Sequence, residues 1–204
     1  KIVRSARKLG VMSYDSAPHF ETTERIRAPN GFGLVEEFNF VRQQTDKPLK
    51  VCCPGPLTVA LPIIPKEGYR EQDYLPLLYD LAGLLNTELR AVNKAGAAFI
   101  QLDEPSAVGR VPGLSVEESV KLVNVTLEGI EAKTALHICF GNNQGRPAMK
   151  RTYKPLFPGI YRVIQGCQEP GKAPLLPNRL VIIKEFPVTV TACQVAAMLK
   201  VNTA

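Results

Sequence analysis

His137 and Cys139 stand two residues apart at the end of the run TALHICFGNN, residues 134–143. Thr134, Ala135, Leu136, Ile138 and Phe140 suit a strand inside a sheet. In a strand, residues i and i+2 point to one face, roughly 7 Å apart along the chain. This histidine and cysteine can therefore address the same point. Imidazole nitrogen and thiolate sulfur are both zinc donors, but a pair supplies two ligands and a metal site needs at least one more. The bland alternative is a cysteine packed as a small apolar residue beside a histidine bonded to backbone. A lone His-x-Cys does not choose between the two.

A second candidate closes AAFIQLDEP, residues 97–105, where Asp103 and Glu104 precede a proline. Consecutive strand residues face opposite sides, so only one of the two carboxylates readily enters a shared site. Asp103 could accept a hydrogen bond from a substrate ammonium or a ring nitrogen. Equally, both could close a turn or cap the next helix. Cys52 and Cys53, in LKVCCPGP (residues 49–56), face opposite ways and read as core packing, with one of them able to line a pocket.

The elements that must position these residues alternate. LKVCCPGP is a short apolar strand stopped by Pro54-Gly55-Pro56. Residues 71–96 carry one apolar stripe, Tyr74, Leu77, Leu78, Leu81, Leu84, Leu85, Leu89 and Val92, at helical spacing. Pro76 falls in that helix's first turn, where its missing donor costs little, and Gly96 is a suitable terminator. Residues 114–132 form the second helix, with Ser115 and Glu118 spaced as a capping box. Residues 1–48 are the least regular third, with a short amphipathic helix over 34–44. Strand, helix, strand, helix, strand with uninterrupted apolar strands implies parallel pairing covered by helices. In such sheets chemistry sits outside the carboxyl ends of the strands, where the Cys52–Pro56, Asp103–Pro105 and His137–Cys139 segments gather.

Composition narrows the function classes. The chain of 204 residues is 45% hydrophobic and 22% charged, a globular balance. Its net charge of +6 is scattered, with one basic cluster at Lys1, Arg4, Arg7 and Lys8. That is neither a stripe nor a recognised nucleic-acid module, so a nucleic-acid partner is not expected. No apolar run reaches the length of a membrane span. Five cysteines without framework spacing fit reduced thiols in a cytoplasmic protein.

Four motifs fall in order across roughly residues 48–160: CCPGPLT (52–58), FIQLDEP (99–105), LHICFGN (136–142) and YKPLFPGI (153–160). Together they resemble the catalytic domain of the cobalamin-independent methionine synthase family. The resemblance implies a TIM-type (β/α) barrel, consistent with the alternation, and zinc-dependent alkyl transfer to a thiol. It implies that His137 and Cys139 bind zinc and that Asp103 binds the amino group of homocysteine. It also implies that the loop Gly55-Pro56-Leu57-Thr58 lies near the substrates, making Gly55, Pro56 and Thr58 substrate-binding candidates. Asp103 and Glu104 are the catalytic candidates.

The departures are equally specific. The family's metal shell also has a glutamate in the next strand region and a later cysteine in an Asn-Pro-Asp-Cys-Gly-like motif, and neither motif is legible here. Glu169 in QGCQEPG (165–171) and Cys193 in VTACQVA (190–196) stand as the remaining candidate ligands. IIKEFP (182–187) is similar to the family's Lys-Glu-Phe-Pro segment, within residues 179–187 that read as a strand or an amphipathic turn. Residues 188–202 read as a strand passing into a helix. A full barrel takes about 250 residues. The reading therefore expects one incomplete or truncated barrel domain over 1–204, poorly defined after about residue 160. The expected function is zinc-dependent methyl transfer from a methyltetrahydrofolate-like donor to homocysteine. A zinc alkyltransferase using another thiol such as coenzyme M, and an inactive barrel fragment that only binds, are the alternatives.

Overall fold

The computed structural model describes residues 2–5, 19–108, 111, 113–140, 153–156, 160 and 181–183. Among these, the elements in chain order are β1 (Ile2–Ser5), β2 (His19–Thr23), α1 (Leu34–Arg42), β3 (Lys50–Pro54), α2 (Pro56–Ala60), β4 (Ile63–Glu67), α3 (Tyr74–Lys94), β5 (Phe99–Asp103), α4 (Val116–Leu127), β6 (Lys133–His137) and β7 (Val181–Ile183). Short 3-10 turns follow β5 at Pro105–Val108 and lie at Lys154–Leu156. The expectations placed on residues 161–180 and 188–202 lie outside the described residues.

β3, β5, β6 and β7 pair in that order as one parallel sheet. The strands read from sequence are here, and β7 resolves residues 179–187 toward the strand reading at its centre. A second sheet joins β1 antiparallel to β2, and β2 parallel to β4. Neither β2 nor β4 was legible. HFETT and IIPKE are five residues each, and partner strands supply the order that their own pattern does not.

The leucine stripe of the long helix does what its period dictates. Leu77, Leu78, Leu81, Leu85, Leu89 and Val92 are all at most 1% exposed, and they share one core with Cys53, Ile100, Leu102 and Leu136 of the parallel strands and Leu122 and Val123 of α4. Asp73 caps α3 by accepting the Leu75 N–H at 3.3 Å, and Pro76 sits in the first turn as expected. At α4, Ser115 accepts the Glu118 N–H at 3.1 Å. The reciprocal half of the box is missing, because the Glu118 carboxylate turns to Lys121 and Tyr79 instead. The helix ends at Leu127, five residues short of its expected end.

α1 has no local side-chain cap. Buried Glu88 of α3 reaches into its N-terminus and accepts the Leu34 N–H at 2.8 Å. Gly31 lies directly against that carboxylate, where a Cβ would collide, and its φ of 69° suits glycine.

The second sheet is tied to α3 by a three-group cluster. Arg25 donates to both oxygens of Asp80, at 2.7 and 2.8 Å. The Tyr69 hydroxyl donates to Asp80 at 2.7 Å and accepts the Ile26 N–H at 2.9 Å. The Arg25 hydrogen bond, assisted by Tyr69, holds the Asp80 carboxyl below the usual carboxylate range against the opposing effect of burial. A depressed carboxyl pKa adds stability above the unfolded-state value, and that stability is lost as pH falls through the folded-state value. Asp80→Asn is expected to cost about 1 kcal/mol at pH 7, since the arginine is largely exposed. The cost should shrink below about pH 3; urea unfolding at both pH values checks it.

Candidate metal and substrate site

Parallel pairing brings three strand ends into one row. Pro54 of β3 pairs with Asp103 of β5, and Asp103 pairs with His137 of β6. The row is extended by two hydrogen bonds past the strands: Gly55 N–H to the Asp103 carbonyl at 2.9 Å, and Glu104 N–H to the His137 carbonyl at 2.8 Å. Paired residues share a face, so Asp103 and His137 project together and Glu104 turns away.

On the shared face the Asp103 carboxylate meets the His137 ring, Oδ1 to Nδ1 at 2.8 Å. The Cys139 thiol is also within hydrogen-bonding reach of that ring. Asp103 first, then Cys139, hold the His137 pKa up at about 9 against burial, which opposes it. The strand end carrying this pair is itself held: the Tyr153 hydroxyl donates to the Ile138 carbonyl at 3.1 Å, and the Tyr153 and Phe140 rings lie 4.4 Å apart. Part of the YKPLFPGI motif thus braces the HICF strand end.

Gln101, two residues before Asp103, occupies the same face and is 7% exposed. Its amide Nε2 donates to Asp103 Oδ1 at 2.7 Å, and its Oε1 accepts from Lys50 Nζ at 3.1 Å. Neither residue was a candidate from sequence. The available signal was an amide placed i−2 from the aspartate in an otherwise apolar strand. Cys52 pairs with Gln101 on this face and is half-buried, whereas Cys53 faces the core.

Glu104 does different work. It is fully buried, and its carboxyl accepts the Leu57 N–H at 2.9 Å and the Thr58 N–H at 3.1 Å, with the Thr58 hydroxyl at 2.8 Å. It caps the one-turn helix α2, which precedes it by some 46 residues, and not the next helix, the cap that the sequence had left open to it. Burial pushes its pKa up to about 8, against the hydrogen bonds, which favour the charged form. Either protonation state can be satisfied, because the Thr58 hydroxyl can donate or accept. Pro56, at the first helical position, needs no partner for nitrogen. Gly55, Pro56 and Thr58 are therefore fixed beside the row, and Gly55 packs so closely on Glu104 that a Cβ would overlap its carboxyl.

The donors brought together, one imidazole and one thiol with a carboxylate behind the imidazole, fit the chemistry of a zinc ion. Among the described residues no three histidine, cysteine, aspartate or glutamate side chains are gathered to hold an ion. Glu169 and Cys193 lie outside the described residues. No described helix is long and apolar enough to cross a membrane.

Residues 11–144 match the family model described as cobalamin-independent synthase, catalytic domain. A methionine synthase from Thermococcus kodakarensis is 34% identical over 110 residues, covering 53% of this chain and 31% of that protein. One from Saccharolobus solfataricus is 38% identical over 113 residues, covering 53% of this chain and 32% of that protein. A solved B12-independent methionine synthase from a Shewanella species, in complex with selenomethionine, superposes with a TM-score of 0.51 at 26% identity, covering 61% of this chain and 35% of that one. The chain thus spans about a third of the length of these relatives. The likeness makes the parallel arc of β3, β5, β6 and β7, with its covering helices, part of a TIM-type (β/α) barrel.

The Glu104 anchor is testable by a double-mutant cycle. Gly55 has an extended backbone that alanine also adopts (φ −80°, ψ 173°), and the nearest atoms that the methyl of Gly55→Ala meets are those of the Glu104 side chain. Glu104→Ala strands the buried Leu57 N–H and takes the carboxyl partner from Thr58, whose N–H keeps its bond to the Gly55 carbonyl at 3.1 Å, and a loss of about 2–4 kcal/mol is expected. The double variant should lose clearly less than the sum of the singles, read by urea unfolding. Additive losses would mean that the two residues act independently.

Proposed function

The chain belongs to the cobalamin-independent synthase catalytic-domain family, and from that premise we propose that it serves methyl transfer from a methyltetrahydrofolate-like donor to the thiol of homocysteine. The observation that carries this reading is the convergence of His137, Cys139 and Asp103 at one strand-end row. In this reading residues 1–204 act as one catalytic barrel domain.

His137 and Cys139 would hold the zinc ion, with Glu169 and Cys193 the candidates to complete its shell. Bound zinc would supply the charge that deprotonates the thiol near neutral pH. Asp103 orients the His137 ring through Oδ1, and its other oxygen, Oδ2, is assigned to the substrate ammonium. Gly55, Pro56 and Thr58 form one wall of the substrate site. Glu104 keeps that wall rigid through its three hydrogen bonds to Leu57 and Thr58. We assign it a positioning role in place of the expected catalytic one, because it reaches the loop and not the face that Asp103 shares with His137. In the transfer, the thiol proton leaves, the sulfur–methyl bond forms as the nitrogen–methyl bond breaks, and the leaving nitrogen takes up a proton.

Metal analysis should find about one zinc per chain. A His137→Ala, Cys139→Ala double variant that stays folded should lose it, and wild-type zinc content in that variant would sink the assignment. Turnover with a panel of thiols then tests the substrate. Preference for a thiol bearing an amino group supports the role given to Asp103. Preference for an amino-free thiol such as coenzyme M would move the activity to another alkyl transfer, and no zinc with no turnover would leave a domain that only binds.

A further inference from the structure

We propose that Gln101, set by Lys50, is a positioning residue that fixes the His137 ring for its ligand through Asp103. The inference rests on the zinc reading above. It starts from the directions of three hydrogen bonds. An ammonium only donates, so Lys50 Nζ, 3.1 Å away, marks the near atom of the Gln101 amide as its oxygen. The amide nitrogen then necessarily faces Asp103, 2.7 Å from Oδ1. A carboxylate oxygen there accepts from two sides, from Gln101 Nε2 and from His137 Nδ1 at 2.8 Å.

With Nδ1 occupied as a donor, Nε2 is the ring atom left for a ligand, and it offers its lone pair once its proton is displaced. The direction of every bond in this chain is thus dictated by the group at its far end. The burial of Gln101, 7% exposed, leaves its amide little room to turn. Lys50 is steadied in turn by the Phe99 ring, whose centroid is 5.9 Å from Nζ. Lys50 pairs with Phe99, and Gln101 with Cys52 and Ala135, so all these side chains occupy one face of the sheet in register.

Partners behind a metal-bound histidine commonly contribute about 10–100-fold to metal affinity. Gln101→Met keeps the side chain's length and apolar bulk and removes both hydrogen bonds. We expect it to weaken zinc binding at least about tenfold, measured by competition with a chromogenic chelator. Lys50→Met touches only the outer end, on an exposed side chain, and should give a smaller loss in the same direction without threatening the fold. A second readout needs no metal. The chain has two histidines, so ring-labelled protein gives two sets of nitrogen signals, and the hydrogen-bonded His137 Nδ1–H resonance should shift or vanish in Gln101→Met. Zinc affinity within about twofold of wild type together with an unchanged His137 resonance would overturn the proposal. If wild type takes up no zinc, the zinc reading falls, and the resonance alone decides the positioning.

Discussion

Register between parallel strands is the constraint on which the site depends. Pro54, Asp103 and His137 stand in one row because three strands pair without a slip, and two backbone hydrogen bonds carry the row past their ends. A shift by one residue would send Asp103 to the helix side and Glu104 to the site. The apolar core guards against this: Leu102 and Leu136 pair one step before the row and are fully buried beneath the helices. Packing energy on one face therefore specifies chemistry on the other.

Two buried carboxylates share a second task. Glu88 and Glu104 each cross from one element to the N-terminus of another helix, replacing the local cap that the sequence there lacks. Each lies against a glycine whose missing Cβ makes room for it. Helix N-termini leave N–H groups unpaired and favour an oxygen acceptor, so a buried carboxyl group finds partners that offset its desolvation. At Glu104 the consequence reaches the site, because the anchored turn is the loop expected to face substrate. A single buried group thus couples β5, which carries Asp103, to the wall formed by Gly55–Thr58.

Much of this was legible in the amino-acid order. The periodicity of residues 71–96 specifies α3, whereas the strand expected to run through His137 and Cys139 ends at His137, so the i, i+2 alternation does not itself place Cys139. Opposite facing of Asp103 and Glu104 follows from strand geometry alone, and so does the expectation that only one enters the site. What sequence could not supply was the identity of partners distant in the chain. Nothing local to Glu104 says that it meets Leu57 and Thr58, some 46 residues away. Gln101 looked like an ordinary strand residue until Lys50 and Asp103 appeared on either side of it. β2 and β4 were hidden for the same reason, since their order comes from pairing and from the Arg25–Asp80–Tyr69 tie.

The central claim is that the strand-end row gathers His137 and Cys139 to one ion. Zinc K-edge X-ray absorption on the metal-loaded protein tests it most directly. The account predicts a nitrogen shell near 2.0–2.1 Å and a sulfur shell near 2.3 Å, with the sulfur amplitude falling in Cys139→Ala. A spectrum of oxygen and nitrogen neighbours alone, or a sulfur shell unchanged by Cys139→Ala, would contradict it.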